Sequence, residues 1–238
     1  MFKVISTYWK FLDLFFPPKC AGCNLWGYRF CPDCYQKAKR IPESKCNRCG
    51  DRTYSGNKHI CRRCNLFPPK YSVVRSWAYY DGVLQKAIRN LKYSGDLGLG
   101  ESLANLLLEV INKQSWRIDL VTCVPLDHQR YKERGYNQSA YLSRPLAYRK
   151  SLPYSAKAIK RYRLTRSQIG LSSGERLLNV NGAFLAERKI VSGKSILVID
   201  DVITTGATLN ACASALLLAN ARKVYGITLA RAERLLEE

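Results

Sequence analysis

The sequence predicts an α/β domain built on a parallel sheet, with a small cysteine-rich segment in front of it. Three observations carry that expectation. Beyond residue 70, apolar runs of strand length alternate with amphipathic runs of helix length, a pattern that implies parallel strands with both sheet faces covered. Eight of the ten cysteines lie before residue 65, every one in a C-x-x-C pair. Finally, ILVIDDVITTGAT (196–208) passes from buried-strand composition into two adjacent acids and then a turn rich in threonine and glycine.

In chain order, Val4, Ile5, Tyr8, Trp9, Leu12, Phe15 and Phe16 fall at helical spacing, so an amphipathic helix docked on the protein is expected first. Lys10 and Asp13 interrupt it, and it falls short of the ~20 apolar residues of a bilayer span. No cleavage site of small residues follows. No transmembrane segment is expected, and the protein is read as cytoplasmic.

The cysteines then run as C-x2-C-x7-C-x2-C and C-x2-C-x11-C-x2-C. Two cysteines at this spacing can put both sulfurs on one ion, and two such pairs complete the four-sulfur tetrahedron of structural zinc. Two zinc sites are expected, in the simplest assignment Cys20, Cys23, Cys31 and Cys34, then Cys46, Cys49, Cys61 and Cys64. Interleaved pairing, a substitution by His59 and an iron–sulfur cluster in place of zinc stay open. Cys123 and Cys212 stand alone in apolar surroundings. Arg29, Lys37, Lys39, Arg40, Arg48, Arg62 and Arg63 surround the pairs as candidate phosphate contacts, with a purely structural or protein-docking role equally open.

The prolines of LFPPK (66–70) mark a joint, giving a zinc-binding unit over 1–70 and an α/β unit over 71–238. Lys and Arg outnumber Asp and Glu by 14 to 4 in the first and by 25 to 14 in the second, so the cysteine segment is the more densely cationic. The net charge of +21 and pI near 9.7 gather polyanions, while 47% apolar and 24% charged residues exclude a disordered or collagen-like chain.

The α/β unit begins with VVRSWAYY as a strand, followed by VLQKAIRNLKY and ESLANLLLEVINK as helices and DLVTCVPL as a buried strand. YNQSAYLSRPLAYRK reads as a helix, and a long polar, basic connection then runs from Ser151 to Asn179. A short strand near Gly182–Ala186, the strand SILVID, the helix TLNACASALLLANA and the strand KVYGITLA complete the order. Ligands of such sheets bind at the carboxyl ends of the strands, where Asp200 and Asp201 lie.

TTGAT opens a helix there, and a turn of small residues at a helix N-terminus presents unpaired N–H groups to a phosphate. Thr204, Thr205 and Thr208 add hydroxyls, and Gly206 permits close approach. Two carboxylates beside a phosphate require neutral hydroxyls or a cation to face, and a ribose 5-phosphate meets both demands. A P-loop is excluded, since Gly193-Lys194-Ser195 would need glycine where Arg188 stands.

ILVIDDVITTGAT resembles the phosphoribosyl-diphosphate signature of type I phosphoribosyltransferases. With the C-x-x-C pairs, LKYSGD (91–96), VPLDHQRYKERGYNQS (124–139) and RSQIGLSSGERLLNVNGAF (166–184), nearly the whole chain resembles the ComF family of competence and DNA-utilisation proteins. The resemblance implies a type I phosphoribosyltransferase-like sheet behind a zinc finger. It implies Asp200 and Asp201 on the ribose hydroxyls and, through water, Mg²⁺, with Thr204, Thr205, Gly206, Ala207 and Thr208 on the 5-phosphate. The loop after the strand DLVTCVPL would meet the diphosphate through Arg130, Arg134, Gly135 and Asn137, and Arg166, Gln168, Arg176 and Asn179 would lie on a mobile loop. The family places a His directly after Pro-Leu, whereas here Asp127 precedes His128. Two compatible functions follow. One is a phosphoribosyl-diphosphate-dependent transferase with Mg²⁺, on its own an enzyme of nucleotide metabolism; the other is a factor of DNA uptake that grips single-stranded DNA, alongside other DNA-uptake proteins. Tyr28, Tyr54, Tyr131 and Tyr136 are candidate stacking partners for the bases.

Overall fold

The computed structural model describes residues 13, 17–53, 60–162 and 182–233. The expected N-terminal helix (apart from Asp13), Tyr54, His59 and the loop residues Arg166, Gln168, Arg176 and Asn179 lie outside them. The cysteine segment holds two short helices, α1 (Pro32–Lys37) and α2 (Arg62–Leu66). Then follow β1 (Val73–Tyr79), α3 (Gly82–Tyr93), α4 (Leu97–Asn112), β2 (Leu120–Cys123), α5 (His128–Arg134), α6 (Gln138–Arg149), β3 (Ile159–Arg161), β4 (Phe184–Ala186), α7 (Arg188–Val191), β5 (Ser195–Ile203), α8 (Ala207–Leu218) and β6 (Lys223–Arg231).

Four strands form the expected parallel sheet in the order β1-β6-β5-β2. Its central strands are buried almost end to end, as a sheet covered on both faces requires. Successive residues of β5 feed opposite layers. Leu197 and Ile199 pack with Leu84, Leu103 and Leu142 on one face, while Ile196 and Val198 pack with Leu209, Cys212 and Leu216 on the other. Helix α3 shows the local logic. Asp81 caps its first N–H at 2.7 Å, and Leu84, Ala87, Ile88 and Leu91 make one buried stripe. Each large member of that stripe gains about 1.5–3 kcal/mol from burial.

Two expectations change. The segment from Ser151 is not a loop throughout, since Ile159–Arg161 pairs antiparallel with Phe184–Ala186 in a separate two-stranded sheet. Three residues give too short an alternation to be read from sequence, although Ile159 and Phe184 are both buried. The segment after β2 is also helical, because Asp127 accepts a hydrogen bond from Arg130 N at 2.9 Å and caps α5. That helix buries no residue, so it carries no apolar periodicity to betray it.

β1 is an edge strand of the sheet, and the cysteine segment covers its outer side. Val74 N donates to Arg48 O at 2.7 Å, Tyr79 N donates to Lys39 O at 2.8 Å, and Arg40 bridges Ala78. This occupies donors that would otherwise offer a template for strand addition. Side chains reinforce the docking. Arg40 lies over the Trp77 ring at 3.6 Å, Arg29 pairs with Asp13 and with Asp96 at 3.1 Å, and Lys39 pairs with Glu233 at 2.6 Å. Three of the seven cations around the cysteine pairs, Arg29, Lys39 and Arg40, therefore take the docking role and fasten the segment to the domain. No helix among the described residues is long and apolar enough to cross a membrane.

Candidate functional site

The eight paired cysteines gather in the sequential sets, with the sulfurs of each set all within 4.8 Å of one another. Tetrahedral bonds of about 2.3 Å place zinc-bound sulfurs about 3.8 Å apart. Cys20–Cys34, Cys23–Cys31 and Cys49–Cys61 are separated by 3.6, 3.5 and 3.7 Å, so the residues fit the ion and the interleaved pairing is excluded. Four sulfurs per ion leave no open position for chemistry, which makes both sites structural.

The two sets are built alike, a repetition that residue identity outside the cysteines hides. The third cysteine of each donates its N–H to the first sulfur, Cys31 to Cys20 at 3.3 Å and Cys61 to Cys46 at 3.4 Å. In each set the third cysteine also opens a short helix. Guanidinium groups flank the second set. Arg231, fully buried, reaches Cys49 O and lies 3.6 Å from Asp51, while Arg75 donates to Cys46 O and Asn47 O. Four thiolates on one divalent ion carry a net charge of about −2, and these two arginines balance it.

The second site lies at the carboxyl end of the sheet. β5 runs on to Ile203, so Asp200 and Asp201 sit within the strand at a cleft of about 760 Å³. Asp200 Oδ1 accepts from Ser139 Oγ and from Asp201 N, both at 3.0 Å. Asp201 Oδ2 lies 2.6 Å from Lys92 Nζ. Removal from water, and then the Asp201 charge, push the Asp200 carboxyl well above the usual carboxylate range. Burial acts on Asp201 in the same direction, but the Lys92 ammonium outweighs it and holds that carboxyl below its usual value. Lys92 is itself raised, its burial overcome by Asp201. One carboxyl thus favours its proton and its neighbour favours its charge.

Beyond β5, Gly206 takes a left-handed φ of 82° and leads into α8. The left-handed backbone favours glycine there, and a Cβ would also crowd the Tyr71 hydroxyl at 3.2 Å. Thr205 Oγ1 accepts from Ala207 N at 3.3 Å. Thr204, Gly206, Ala207 and Thr208 line the cleft, with the amino-terminal end of the α8 dipole behind them.

Arg130 and Arg134 of α5 also line the cleft. Arg134 is braced by Gln138 Oε1 at 3.0 Å and the Tyr93 hydroxyl at 3.2 Å, and it lies over the Tyr93 ring. Gly135 and Asn137 do not line it. Gly135 ends α5 at φ 75°, while Asn137 donates to Val124 O at 3.0 Å and caps α6 through Ser139 N at 3.0 Å. His128 is exposed and lies away from the cleft lining.

Sequence reasoning missed Lys92, Ser139 and Arg161, all of which line the cleft. Lys92 and Ser139 lie inside LKYSGD and VPLDHQRYKERGYNQS, which were noted as motifs without a role for either residue. Arg161 sits in the short β3 and carried no signal. Of the stacking candidates, Tyr28 and Tyr131 are exposed, whereas the Tyr136 hydroxyl donates to Leu91 O at 2.6 Å and pins the end of α3.

Residues 11–65 match the double zinc ribbon domain, and residues 139–237 match the phosphoribosyl transferase domain. The chain is 33% identical to the DNA utilization protein YhgH of Escherichia coli (strain K12), over 84% of this chain and 91% of that protein. It is 29% identical to Competence protein F of Haemophilus influenzae, over 82% and 89%. Among solved structures, glutamine phosphoribosylpyrophosphate amidotransferase from B. subtilis matches with 24% identity and a TM-score of 0.36, over 74% of this chain and 32% of that one. A double zinc ribbon followed by a phosphoribosyltransferase-like α/β domain, together with identity at this level across nearly the full length of YhgH, places the chain in the ComF family of competence and DNA-utilisation proteins.

Proposed function

We propose that the cleft binds phosphoribosyl diphosphate with Mg²⁺, and that the protein serves DNA uptake and utilisation in the cytoplasm, with single-stranded DNA and other DNA-uptake proteins as partners. The observation that carries the reading is the run from Asp200 and Asp201 through the left-handed Gly206 into the start of α8, all on one cleft. The turn from Thr204 to Thr208 holds the 5-phosphate, using helix N–H groups and dipole. Asp200, favouring its proton, donates to one ribose hydroxyl, and ionised Asp201 accepts from the other. Arg130 and Arg134 meet the diphosphate on a wall shaped by Gly135 and Asn137, and Arg166, Gln168, Arg176 and Asn179, outside the described residues, are assigned to the same ligand by the family resemblance alone. Mg²⁺ bound with the ligand neutralises diphosphate charge. Any loss of diphosphate builds positive charge at the sugar carbon, and excluding water favours that step.

The nucleic-acid part rests on the net charge of +21, on the exposed Tyr28 and Tyr131, and on relatives named for DNA utilisation and competence. Calorimetry tests both parts. Wild-type protein should bind phosphoribosyl diphosphate with Mg²⁺, and Asp200→Asn/Asp201→Asn should weaken this by about tenfold or more, as loss of the hydrogen bond to the ionised Asp201 predicts. A wild-type protein that does not bind the ligand would sink the reading. The same titration with a single-stranded oligonucleotide should weaken steeply with salt; affinity unchanged between low and high salt removes the DNA contact. Diphosphate release in the presence of bases or amines, with no oligonucleotide binding, favours a transferase of nucleotide metabolism.

A further inference from the structure

Lys92 is the one lysine ion-paired with either acid among the described residues. Its side chain is only 20% exposed, and its ammonium stands 2.6 Å from Asp201 Oδ2. A lysine ammonium sits on a flexible four-carbon stem, and here the helix turn that carries the stem is fixed on both sides. The preceding carbonyl, Leu91 O, accepts from the Tyr136 hydroxyl at 2.6 Å, Asn90 Nδ2 donates to Ala21 O at 3.1 Å, and Ser94 Oγ closes the helix on Asn90 O at 2.6 Å. Asp200 Oδ1 is taken by Ser139 and by the Asp201 N–H. A directly bound Mg²⁺ needs carboxylate oxygens at about 2.0–2.1 Å in octahedral array. One oxygen of each acid is already taken, on Asp200 by two protein donors and on Asp201 by an ion pair at 2.6 Å with a cation that repels a second one.

We propose that Lys92 is the resident counter-ion of the acid pair, so that the cleft takes the vicinal hydroxyls of a sugar with its own cation in place and admits a divalent ion only on the diphosphate of the ligand. This rests on reading Asp200 and Asp201 as the ribose-binding pair. It assigns Lys92 a positioning role. The ammonium holds Asp201 as an ionised acceptor for a hydroxyl and removes the need for metal at the acids.

The test uses full-length zinc-loaded protein without any sugar ligand, and Mn²⁺ followed by electron paramagnetic resonance as a stand-in for Mg²⁺. Wild type should show no Mn²⁺ site that Asp201→Asn removes. Lys92→Met should gain one, with affinity raised about tenfold or more, as expected for removing one close cation at an effective dielectric near 20; adding Asp201→Asn should abolish it. Lys92→Arg, which keeps the charge, should stay silent. A wild-type Mn²⁺ site lost in Asp201→Asn, or a folded Lys92→Met that gains nothing, overturns the proposal. Should Lys92→Met not fold, wild type against Asp201→Asn decides alone. Since no phosphoribosyl diphosphate is present, the outcome is independent of whether that ligand binds.

Discussion

Asp200 and Asp201 are neighbours on one strand, yet the protein treats them in opposite ways, and the difference has a sign that can be measured. The folded-state pKa of Asp200 lies above its unfolded value. Between those two values the native chain holds a proton that the unfolded chain has released, so stability falls as pH rises through the window and the loss is complete above it. Asp200→Asn removes the cost. In calorimetric melts at a pH above that window its Tm should exceed that of the wild type. The gain should vanish below about pH 3.9, where the carboxyl is protonated in both states. The variant should thus melt higher while its amide still offers a donor to the ribose hydroxyl. The acids and the glycine after them were legible because their chemistry is compressed into thirteen consecutive residues. Lys92 was not, since a lysine in the last turn of an amphipathic helix reads as solvated until the fold brings it across to another strand.

At the scale of single elements, legibility followed burial. The strands of the four-stranded sheet announced themselves as apolar runs, α3 through the spacing of its one buried stripe, and α8 through its nearly all-apolar composition. α5 did not, because what makes it a helix is a cap and a left-handed glycine rather than a core face. Its formation therefore depends on Asp127 to an unusual degree. Asp127→Ala should cost about 0.5–2 kcal/mol in urea unfolding, as cap removal generally does. It should also loosen Arg130 and Arg134, weakening phosphoribosyl diphosphate more than ribose 5-phosphate in the same calorimeter. Equal weakening of both ligands would show that α5 does not serve the diphosphate.

Taken as a whole, the molecule is two stabilities joined along β1. The cysteine segment contributes Cys46, Cys49 and Cys64 to the same apolar cluster as Tyr71, Val74 and Leu209, so the metal supports packing that belongs to the α/β core. Structural zinc supplies apparent binding energy of about 10–16 kcal/mol, as much as the whole stability of an ordinary domain. Stripping both ions with a strong chelator, or replacing Cys46 by Ser, should open the cover on β1. Light scattering should then report association of the chain, and a stripped protein that stays monomeric would show the edge to be protected by other means. The pairing of the cysteines became visible only in three dimensions, because spacing alone is compatible with either connection.

The covered edge also bears on how the chain is made. β1 pairs on its inner side with β6, the last strand of the sheet, which begins about 140 residues after β1 ends. At ordinary rates of synthesis that partner arrives on the order of ten seconds later. The zinc-bearing cover precedes β1 on the ribosome, so a metal-loaded nascent chain waits with one side of this strand already sealed. A cell short of zinc would release the same chain with both sides open, and its yield of soluble protein would then track metal supply during translation rather than after it.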